Sequence, residues 1–303
     1  MQLSVVVSTL NGREQLGRAL DALAEDAPEA EVVVVNGPSS DGTTGMVRER
    51  EDVDQLVEIS DRNLNVARNA GAEAATGDTV AFLRYDLAVE PGWAAGITAS
   101  VADGADVVTG PTHRTVQAGV TTEERETWTV GDREVTFVNG HNGAFTREAL
   151  DALDGFDEYL ETGGSRDISH RVAANSFSVS WNGDVCVRGE YQTDGGREST
   201  DWGAKYRSLA YRLAKNYGAN PTAAYRTARE AVVDSARVLT DVARGRSTPT
   251  TWLRNGKSVF AGIAVGAKDG LAARKRSRDG TANPNGISSR ADRAVRRYDL
   301  STD

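Results

Sequence analysis

The chain has 303 residues and a formal net charge of −9, with 39% hydrophobic and 26% charged residues. These values are typical of a globular protein, and no run of about 18 uncharged apolar residues predicts a membrane-spanning helix. The chain enters a predicted strand without a basic and apolar leader, so we expect no secretory signal. A single cysteine excludes an internal disulfide and favours a reducing, cytoplasmic setting.

The charge is divided unevenly along the chain. Residues 201–303 hold 20 Lys and Arg against 9 Asp and Glu, whereas residues 1–200 hold 15 against 35. An acidic body with a basic C-terminal third predicts a tail that meets an anionic partner, and we expect a membrane surface rather than a nucleic acid. The acidic composition and the scarcity of lysine are typical of a haloarchaeal protein, although GC-rich codon usage produces a similar composition.

Strands and helices alternate over the first hundred residues. Apolar strands are predicted near 3–8, 31–35, 55–59, 79–83 and 105–109, with helical patterns near 12–25, 42–50, 65–75 and 91–102. This repeated unit predicts an α/β fold with a mostly parallel sheet covered by helices. Ligands of such sheets bind beyond the carboxyl ends of the strands, where this chain has polar and glycine-rich turns.

The pattern becomes mixed between about residues 125 and 190 and is helical afterwards. Short strands alternate with helices predicted over 146–153 and 167–174, which completes one domain of residues 1–200. Apolar stripes at helical spacing predict a helical extension over 201–276. The polar residues 277–303 predict a loosely ordered tail, with one more helix over 289–298 as its alternative.

Five short segments occur in a fixed order. They are Val-Val-Val-Ser-Thr-Leu-Asn at 5–11, Asn-Gly-Pro-Ser-Ser-Asp-Gly-Thr at 36–43, Asn-x-Ala-Arg-Asn-x-Gly at 65–71, Phe-Leu-x-x-Asp at 82–86 with Pro-Gly-Trp at 91–93, and Gly-Phe-Asp-Glu at 155–158. Over about residues 2–190 the set resembles the inverting family 2 glycosyltransferases of the GT-A fold. The resemblance implies a nucleotide-sugar donor, a divalent cation (Mg²⁺ or Mn²⁺) and an acceptor hydroxyl.

The resemblance places the cation at the end of the fourth strand. Asp86 occupies the last acid of the family's Asp-x-Asp element, and Arg84 replaces the first. A cation neutralises the charge that develops on the leaving diphosphate, and one carboxylate with diphosphate oxygens and waters suffices for Mg²⁺. Arg84 is expected to contact the diphosphate or an acidic sugar. A turn carboxylate at a strand end is the alternative for Asp86.

The resemblance also implies that Thr9, Asn11, Asn36 and Arg68 bind the nucleotide. The family more often has Asp at position 36, where it binds a uracil edge, and Asn36 still donates and accepts hydrogen bonds. Asp41 suits a turn before a helix better than a donor contact. For Arg68 the alternative is a solvated helical arginine.

The segment expected to carry the catalytic base departs from the family. Where the family has Glu-Asp-x-Asp-Leu-x-x-Arg, this chain has Gly-Ser-Arg-Asp-Ile-Ser-His-Arg at 164–171. Inverting transfer needs a group near the anomeric carbon that takes the acceptor proton. Asp167 is the first candidate, Glu161 the second and His170 the third. The alternative is that the chain has no base and that Asp167 caps a helix.

The acceptor is inferred from two segments. We expect His141 and Asn142, within Asn-Gly-His-Asn at 139–142, to order acceptor hydroxyls, with a turn as the alternative. Residues 252–276 combine one apolar face with flanking basic residues, so we expect an amphipathic helix in the membrane interface or, alternatively, a helix packed on the domain. Lys257 and Lys268 exclude a membrane span. A lipid-linked oligosaccharide for protein N-glycans or surface polysaccharide is the expected acceptor.

The sequence therefore predicts a cytoplasmic glycosyltransferase, peripheral on the membrane, that transfers a hexosyl or hexuronosyl group. Two alternatives stay open. A degenerate relative that serves as a binding or scaffold subunit would explain why Arg84 and the residues at 164–165 replace family acids. A sugar-nucleotide nucleotidyltransferase shares the sheet and the metal, but it needs a glycine-rich loop with Arg and Lys after the first strand, which residues 8–11 lack.

Overall fold

A computed structural model describes residues 1–116, 119–122, 124–130, 133–190, 201–243, 249–277 and 283–301. The first third alternates strands and helices: β1 (Leu3–Thr9), α1 (Arg13–Asp26), β2 (Glu31–Asn36), α2 (Thr43–Arg48), β3 (Gln55–Ile59), α3 (Leu64–Ala74), β4 (Thr79–Arg84), β5 (Leu87–Val89), α4 (Trp93–Ala102) and β6 (Val107–Thr109). A mixed region follows: β7 (Thr112–Val116), β8 (Gly119–Thr122), β9 (Thr127–Val130), β10 (Arg133–Thr136), β11 (Asn142–Thr146), α5 (Arg147–Ala152), α6 (Gly164–Ala174), β12 (Val179–Trp181) and β13 (Val187–Glu190). The C-terminal part contains α7 (Trp202–Tyr217), α8 (Pro221–Ala243), α9 (Pro249–Arg276) and β14 (Ala294–Asp299).

An eight-stranded sheet in the order β12-β6-β11-β4-β1-β2-β3-β14 organises the domain. Strands β1 to β4 are parallel, and β11 runs antiparallel between β4 and β6. The chain passes from β1 to β2 and β3 on one side and then returns to β4 on the other side of β1. The register pairs Ser8 with Arg84 and Thr9 with Asn36. Three strand ends therefore meet at the point of reversal, where open α/β sheets bind ligands.

Alternate residues of the central strands are buried on opposite faces of the sheet. Val5 and Val7 of β1 pack in a cluster with Leu16 of α1, whereas Val6 packs in a second cluster with α3. Helix α3 lies so close to the sheet that a Cβ at Gly71 would overlap the Val6 side chain. Since side chains alternate across a strand, these runs of valine require helices on both faces. The predicted α/β fold with a mostly parallel sheet is confirmed.

A smaller sheet and a hairpin stand beside the main sheet. The small sheet has the order β5-β13-β7-β8, with β13 antiparallel to β5 and parallel to β7. Strands β9 and β10 form the hairpin. Only Tyr85 and Asp86 separate β4 from β5, so the small sheet adjoins the edge where the strand ends meet.

The helical extension is built on α7 and α9, which lie directly against each other. A Cβ at Gly262, Gly266 or Gly270 of α9 would overlap a backbone carbonyl oxygen of α7. The four-residue spacing of these glycines thus lets two helix backbones approach closely, and on this face α9 packs on the rest of the chain. Within the described ranges, no helix combines the length and the apolar character that a bilayer span requires.

The tail differs from the prediction of a loosely ordered segment or a helix. Residues Ala294–Asp299 form β14, which pairs antiparallel with β3. Arg293 is 1% exposed, and its guanidinium contacts the carboxylates of Glu73 and Glu158. The polar composition misled the prediction because an edge strand has one side open to solvent and tolerates charged residues. The α/β domain therefore includes the C-terminal strand, which the predicted boundary at residue 200 excluded.

Candidate active site

The loops after β1 and β2 are joined by side-chain hydrogen bonds. Asn11 has a left-handed backbone (φ 52°), which Asn adopts more readily than most residues. Its Oδ1 accepts a hydrogen bond from the Ser40 amide at 2.8 Å, and its own amide donates to Ser39 Oγ at 2.9 Å. The Ser39 hydroxyl in turn donates to Asn36 Oδ1 at 2.7 Å. Asn11 thus serves to order the rim of the sheet edge.

Asn36 and Asp41 are both engaged within this rim. Asn36 is 1% exposed, and its Nδ2 donates to Thr44 Oγ1 at 2.9 Å, so both ends of its amide have partners. Asp41 accepts hydrogen bonds from the backbone amides of Arg13 at 3.0 Å and Thr43 at 3.2 Å, as expected of a turn residue. The prediction that Asn36 binds a base edge is not supported by this conformation, because its hydrogen bonds hold the loop instead.

Thr9 ends β1 with a buried hydroxyl. The residue is 5% exposed, and its Oγ1 has no hydrogen-bond partner in the described part of the chain. A buried hydroxyl of this kind is costly unless a ligand or water satisfies it. Thr9 lies at the reversal between β1 and β4, which is the edge where open α/β sheets bind ligands.

Arg68 is a buried arginine that makes no ion pair with a carboxylate among the residues described. Its Nη1 donates to Asn65 Oδ1 at 3.2 Å, its Nη2 donates to the Gly140 carbonyl, and the guanidinium lies 4.9 Å above the Phe156 ring. Burial and the nearby Arg84 lower its pKa to about 10, so it stays charged at neutral pH. The alternative of a solvated arginine is wrong. A buried cation of this kind favours an anionic ligand.

Arg84 and Asp86 form a two-point ion pair at the turn between β4 and β5. Nε and Nη2 of Arg84 contact the two carboxylate oxygens of Asp86, the second at 2.9 Å. Their side chains are 29% and 32% exposed. The Arg84 amide donates to the His141 carbonyl at 3.3 Å, so His141 lies at the same edge. Arg84 and Asp86 were predicted to act at the diphosphate, and in this structure they are paired with each other.

This ion pair decides how a divalent cation fits Asp86. Both carboxylate oxygens contact Arg84, so a cation at Asp86 has to share the carboxylate with the guanidinium or displace it. A diphosphate offers Arg84 another two-point partner, and Mg²⁺ needs few protein ligands when phosphate oxygens and waters complete its shell. Asp86 therefore fits a cation that arrives together with a diphosphate, rather than a cation site that is already complete in the protein.

Asp167, the first candidate for the base, lies in a buried ion cluster and is 0% exposed. Its Oδ2 accepts hydrogen bonds from Lys215 Nζ at 2.8 Å and Arg171 Nε at 3.0 Å, and its Oδ1 accepts one from Asn216 Nδ2 at 2.9 Å. Burial alone would raise the pKa of Asp167, but Lys215 and Arg171 lower it to about 2. This geometry does not support Asp167 as a base, because the carboxylate is buried and its hydrogen bonds join α6 to α7.

The other two candidates for the base differ in exposure. Glu161 is exposed in the loop before α6. His170 is 0% exposed, with its Nδ1 2.8 Å from the Tyr217 hydroxyl oxygen. The start of α6 adjoins the site, since a Cβ on Gly140 would lie 2.5 Å from Ser165 Oγ. Of the three candidates, Glu161 alone presents its side chain to solvent near this end of α6.

The two residues predicted to bind the acceptor have different surroundings. Asn142 is 0% exposed; its Oδ1 accepts from Trp93 Nε1 at 2.8 Å, and its Nδ2 donates to the Val185 carbonyl at 2.7 Å. Asn142 therefore joins β11 to α4 and to the segment before β13, and it is not placed to bind an acceptor. His141 is half-buried next to Arg84 and remains at the edge of the site.

The buried partners of Asp167 were not predicted from the sequence. Lys215 also binds Asp157 at 2.6 Å, and Asp157 accepts a hydrogen bond from the Tyr211 hydroxyl at 2.9 Å. The sequence contained a signal for these partners, because Ser208, Tyr211 and Lys215 recur at helical spacing. In the structure all three residues are buried. They form a second buried face of α7, which the sequence analysis did not consider because lysine is rarely buried.

Residues 4–154 match the family described as Glycosyl transferase family 2. The glycosyltransferase AglE of Haloferax volcanii is 25% identical over 197 residues, which are 60% of this chain and 65% of that protein. The chain spans less than two thirds of the length of the curated relatives that it matches.

Two solved structures share the architecture. The mannosyltransferase PcManGT from Pyrobaculum calidifontis, in complex with GDP-Man and Mn²⁺, has a TM-score of 0.56 at 20% identity, covering 87% of this chain and 86% of that one. S. aureus TarS 1-349, in complex with UDP-GlcNAc, has a TM-score of 0.62 at 15% identity, covering 91% of both chains. The predicted GT-A fold is confirmed. Residues 4–154 of this chain form a Glycosyl transferase family 2 domain.

Proposed function

We propose that this chain transfers a sugar from a nucleotide-diphosphate donor to an acceptor hydroxyl with inversion. The observation that carries the proposal is the pair of guanidinium groups, Arg68 and Arg84, beside the strand ends. Arg68 is buried without a carboxylate partner in the described ranges, and Arg84 is near enough to lower its pKa. Two such cations favour a diphosphate, and the Thr9 hydroxyl offers a hydrogen bond beside them. The GDP-Man and UDP-GlcNAc bound by the two structural neighbours support this donor class.

We further propose that Mg²⁺ or Mn²⁺ accompanies the donor, with Asp86 as its protein ligand. When bound, such a cation would neutralise charge on the leaving diphosphate. Arg84, released from Asp86, would then contact diphosphate oxygens. The Mn²⁺ in the PcManGT complex supports the same metal class here.

For the proton transfer we propose Glu161 in place of Asp167. A base has to approach the acceptor hydroxyl within hydrogen-bond reach, and the exposed Glu161 lies close in the chain to the start of α6. Asp167 is committed to Lys215 and Arg171. If no carboxylate of this chain supports transfer, the chain is instead a binding or scaffold subunit.

The C-terminal helices support a lipid-linked acceptor. Helices α7, α8 and α9 border an apolar groove of about 690 Å³, whose lining includes Phe260 and Leu271. These side chains are 77% and 37% exposed, and Lys257 and Lys268 are exposed on the same helix. Apolar side chains next to basic ones suit a membrane surface with anionic head groups. The proposal is thus a peripheral enzyme that glycosylates a lipid-linked oligosaccharide, for protein N-glycans or surface polysaccharide. The match to a Haloferax volcanii protein supports the expected haloarchaeal origin.

Donor binding provides the first test. The wild-type chain is screened against GDP- and UDP-sugars with and without Mn²⁺, since a ligand that binds only the folded state raises the thermal midpoint. We expect Arg68→Met and Arg84→Met to weaken binding about tenfold or more, because a hydrogen bond to a charged group contributes about 1.5–3 kcal/mol. Arg18→Met, on the exposed side of α1, is the matched control. Unchanged donor affinity in both site variants would place the donor elsewhere.

Transfer provides the second test. Glu161→Gln is expected to keep donor affinity and to lose about 10²–10⁴-fold in transfer rate, whereas Glu25→Gln, an exposed control on α1, keeps both. Full activity of Glu161→Gln would exclude it as the base. A wild-type chain that binds a donor but neither hydrolyses nor transfers it would support the scaffold alternative.

A further inference from the structure

A second group of reactive side chains lies in the small sheet, outside the donor site. Glu90 follows β5, His113 lies on β7 and Cys186 precedes β13, and the strand order brings them together. His113 Nδ1 lies 3.1 Å from Glu90 Oε2 and 3.3 Å from Cys186 Sγ. One ligand atom from each residue lies within 4.8 Å of the other two. Arg188 Nε donates to Glu90 Oε1 at 2.8 Å, which leaves Oε2 for the group.

The separations of these atoms match the edges of a tetrahedral zinc site. With a Zn–S distance of about 2.3 Å and Zn–N or Zn–O distances of about 2.0 Å, a tetrahedron places S and N about 3.5 Å apart and N and O about 3.3 Å apart. The observed 3.3 Å and 3.1 Å are slightly shorter. Two edges of the tetrahedron are therefore close to the required lengths, and the third, between Cys186 and Glu90, is at most 4.8 Å. Thiolate, imidazole and carboxylate are all ligands that zinc accepts.

We propose that Glu90, His113 and Cys186 bind Zn²⁺ or a similar thiophilic divalent cation, with water as a fourth ligand. Cys186 is 4% exposed, whereas the side chains of His113 and Glu90 are 30% and 20% exposed, so a cation enters from their side. Binding releases the thiol proton to solvent, and His113 binds through Nδ1 with its proton on Nε2. Arg188 holds the second oxygen of Glu90 and thereby orients the carboxylate.

The cation would join β5, β7 and β13 near the end of β5 that is farther from Asp86, because Val187 of β13 pairs with Val89 and Gly189 pairs with Leu87. Val185, next to Cys186, accepts a hydrogen bond from Asn142, and the turn at Asp86 leads directly into β5. The ligands come from β7 and from the ends of β5 and β13, which are distant from one another in the sequence. The proposed cation therefore has a structural role, because it would hold these three segments together. The site is separate from the cation proposed at Asp86, since the two share no ligand.

Cobalt titration of the metal-free, full-length chain tests the proposal. Co²⁺ bound by a thiolate absorbs in the near ultraviolet by charge transfer, and Cys186 is the only cysteine, so this absorption reports on one site. We expect it to saturate at one Co²⁺ per chain, to be displaced by Zn²⁺ and to be absent in Cys186→Ala. His113→Gln and Glu90→Gln should weaken Co²⁺ binding by at least about tenfold. Asp86→Asn, outside the ligand set, should leave the titration unchanged.

The wild-type titration needs no variant, so it decides the matter even if a substitution prevents folding. No charge-transfer absorption at excess Co²⁺ would show that the three side chains form only a hydrogen-bonded cluster, and the proposal would be overturned. An unchanged titration in a folded His113→Gln variant would also overturn it, because the thiol would then bind Co²⁺ without the imidazole. Circular dichroism of each variant establishes that it is folded.

Discussion

Replacing Asp167 by Asn distinguishes a structural carboxylate from a catalytic base. In the folded chain two carboxylates, Asp157 and Asp167, face two cations, Lys215 and Arg171, and all four residues are 0% exposed. The Lys215 ammonium lies 2.6 Å from Asp157 and 2.8 Å from Asp167. An amide at position 167 removes one negative charge and leaves a surplus positive charge among fully buried side chains. We therefore expect a loss of stability rather than a selective loss of chemistry.

The size of this loss follows from the contacts that remain. Removing one partner of a buried ion pair costs about 3–5 kcal/mol. Lys215 keeps Asp157, and Arg171 keeps the carbonyls of Leu153 at 2.5 Å and Gly155 at 2.8 Å, so the lower end, about 3 kcal/mol, is expected. A loss of about 1 kcal/mol lowers the midpoint of a large domain by roughly 2–4 °C, so Asp167→Asn should melt roughly 6–12 °C below wild type.

Thermal unfolding followed by circular dichroism measures this difference. Asp151→Asn, at an exposed position of α5, is the matched control and should change stability by less than about 0.5 kcal/mol. Transfer is then assayed well below both midpoints, where we expect folded Asp167→Asn to remain active. An unchanged midpoint combined with a transfer rate lowered by orders of magnitude would refute the structural reasoning and restore Asp167 as the base.

Three further predictions concern acid stability, helix packing and membrane binding. Burial raises the pKa of Asp167, but the ion partners lower it to about 2, so its contribution to stability is complete above about pH 4 and is lost as the pH falls toward 2. Acid titration of the wild-type chain should show this loss of stability, and that of Asp167→Asn should not. Gly266→Ala should destabilise the chain in chemical denaturation because its Cβ would overlap the Arg207 carbonyl, whereas Gly256→Ala, with open space around it, should be neutral or stabilising by about 1 kcal/mol; equal effects would contradict the close α7–α9 contact. Phe260→Asp should reduce flotation with anionic vesicles without changing donor affinity, because the 77% exposed ring gains by apolar burial in a bilayer; unchanged flotation would exclude this face as the membrane contact.

The sequence by itself determined the α/β framework and the edge at which the site lies. Periodicity is a local property: Val5, Val6 and Val7 alternate between two faces whatever the rest of the chain does, and the turns that follow each strand are adjacent in the sequence. The resemblance to family 2 glycosyltransferases rests on the same local segments. For this reason the predicted strand ends at Thr9, Asn36 and Arg84 meet as expected.

Only the tertiary structure decided what several polar residues do. Asp167 and Asn142 have sequence contexts that suit catalysis, but their surroundings bury them among partners from α7 and from α4. The three histidines are too widely spaced for a short metal motif, yet the strand order sets His113 beside Cys186, 73 residues further along the chain. Burial and the identity of a partner depend on contacts between distant segments, and these contacts determine whether a carboxylate acts as a base, pairs with a buried lysine or binds a cation.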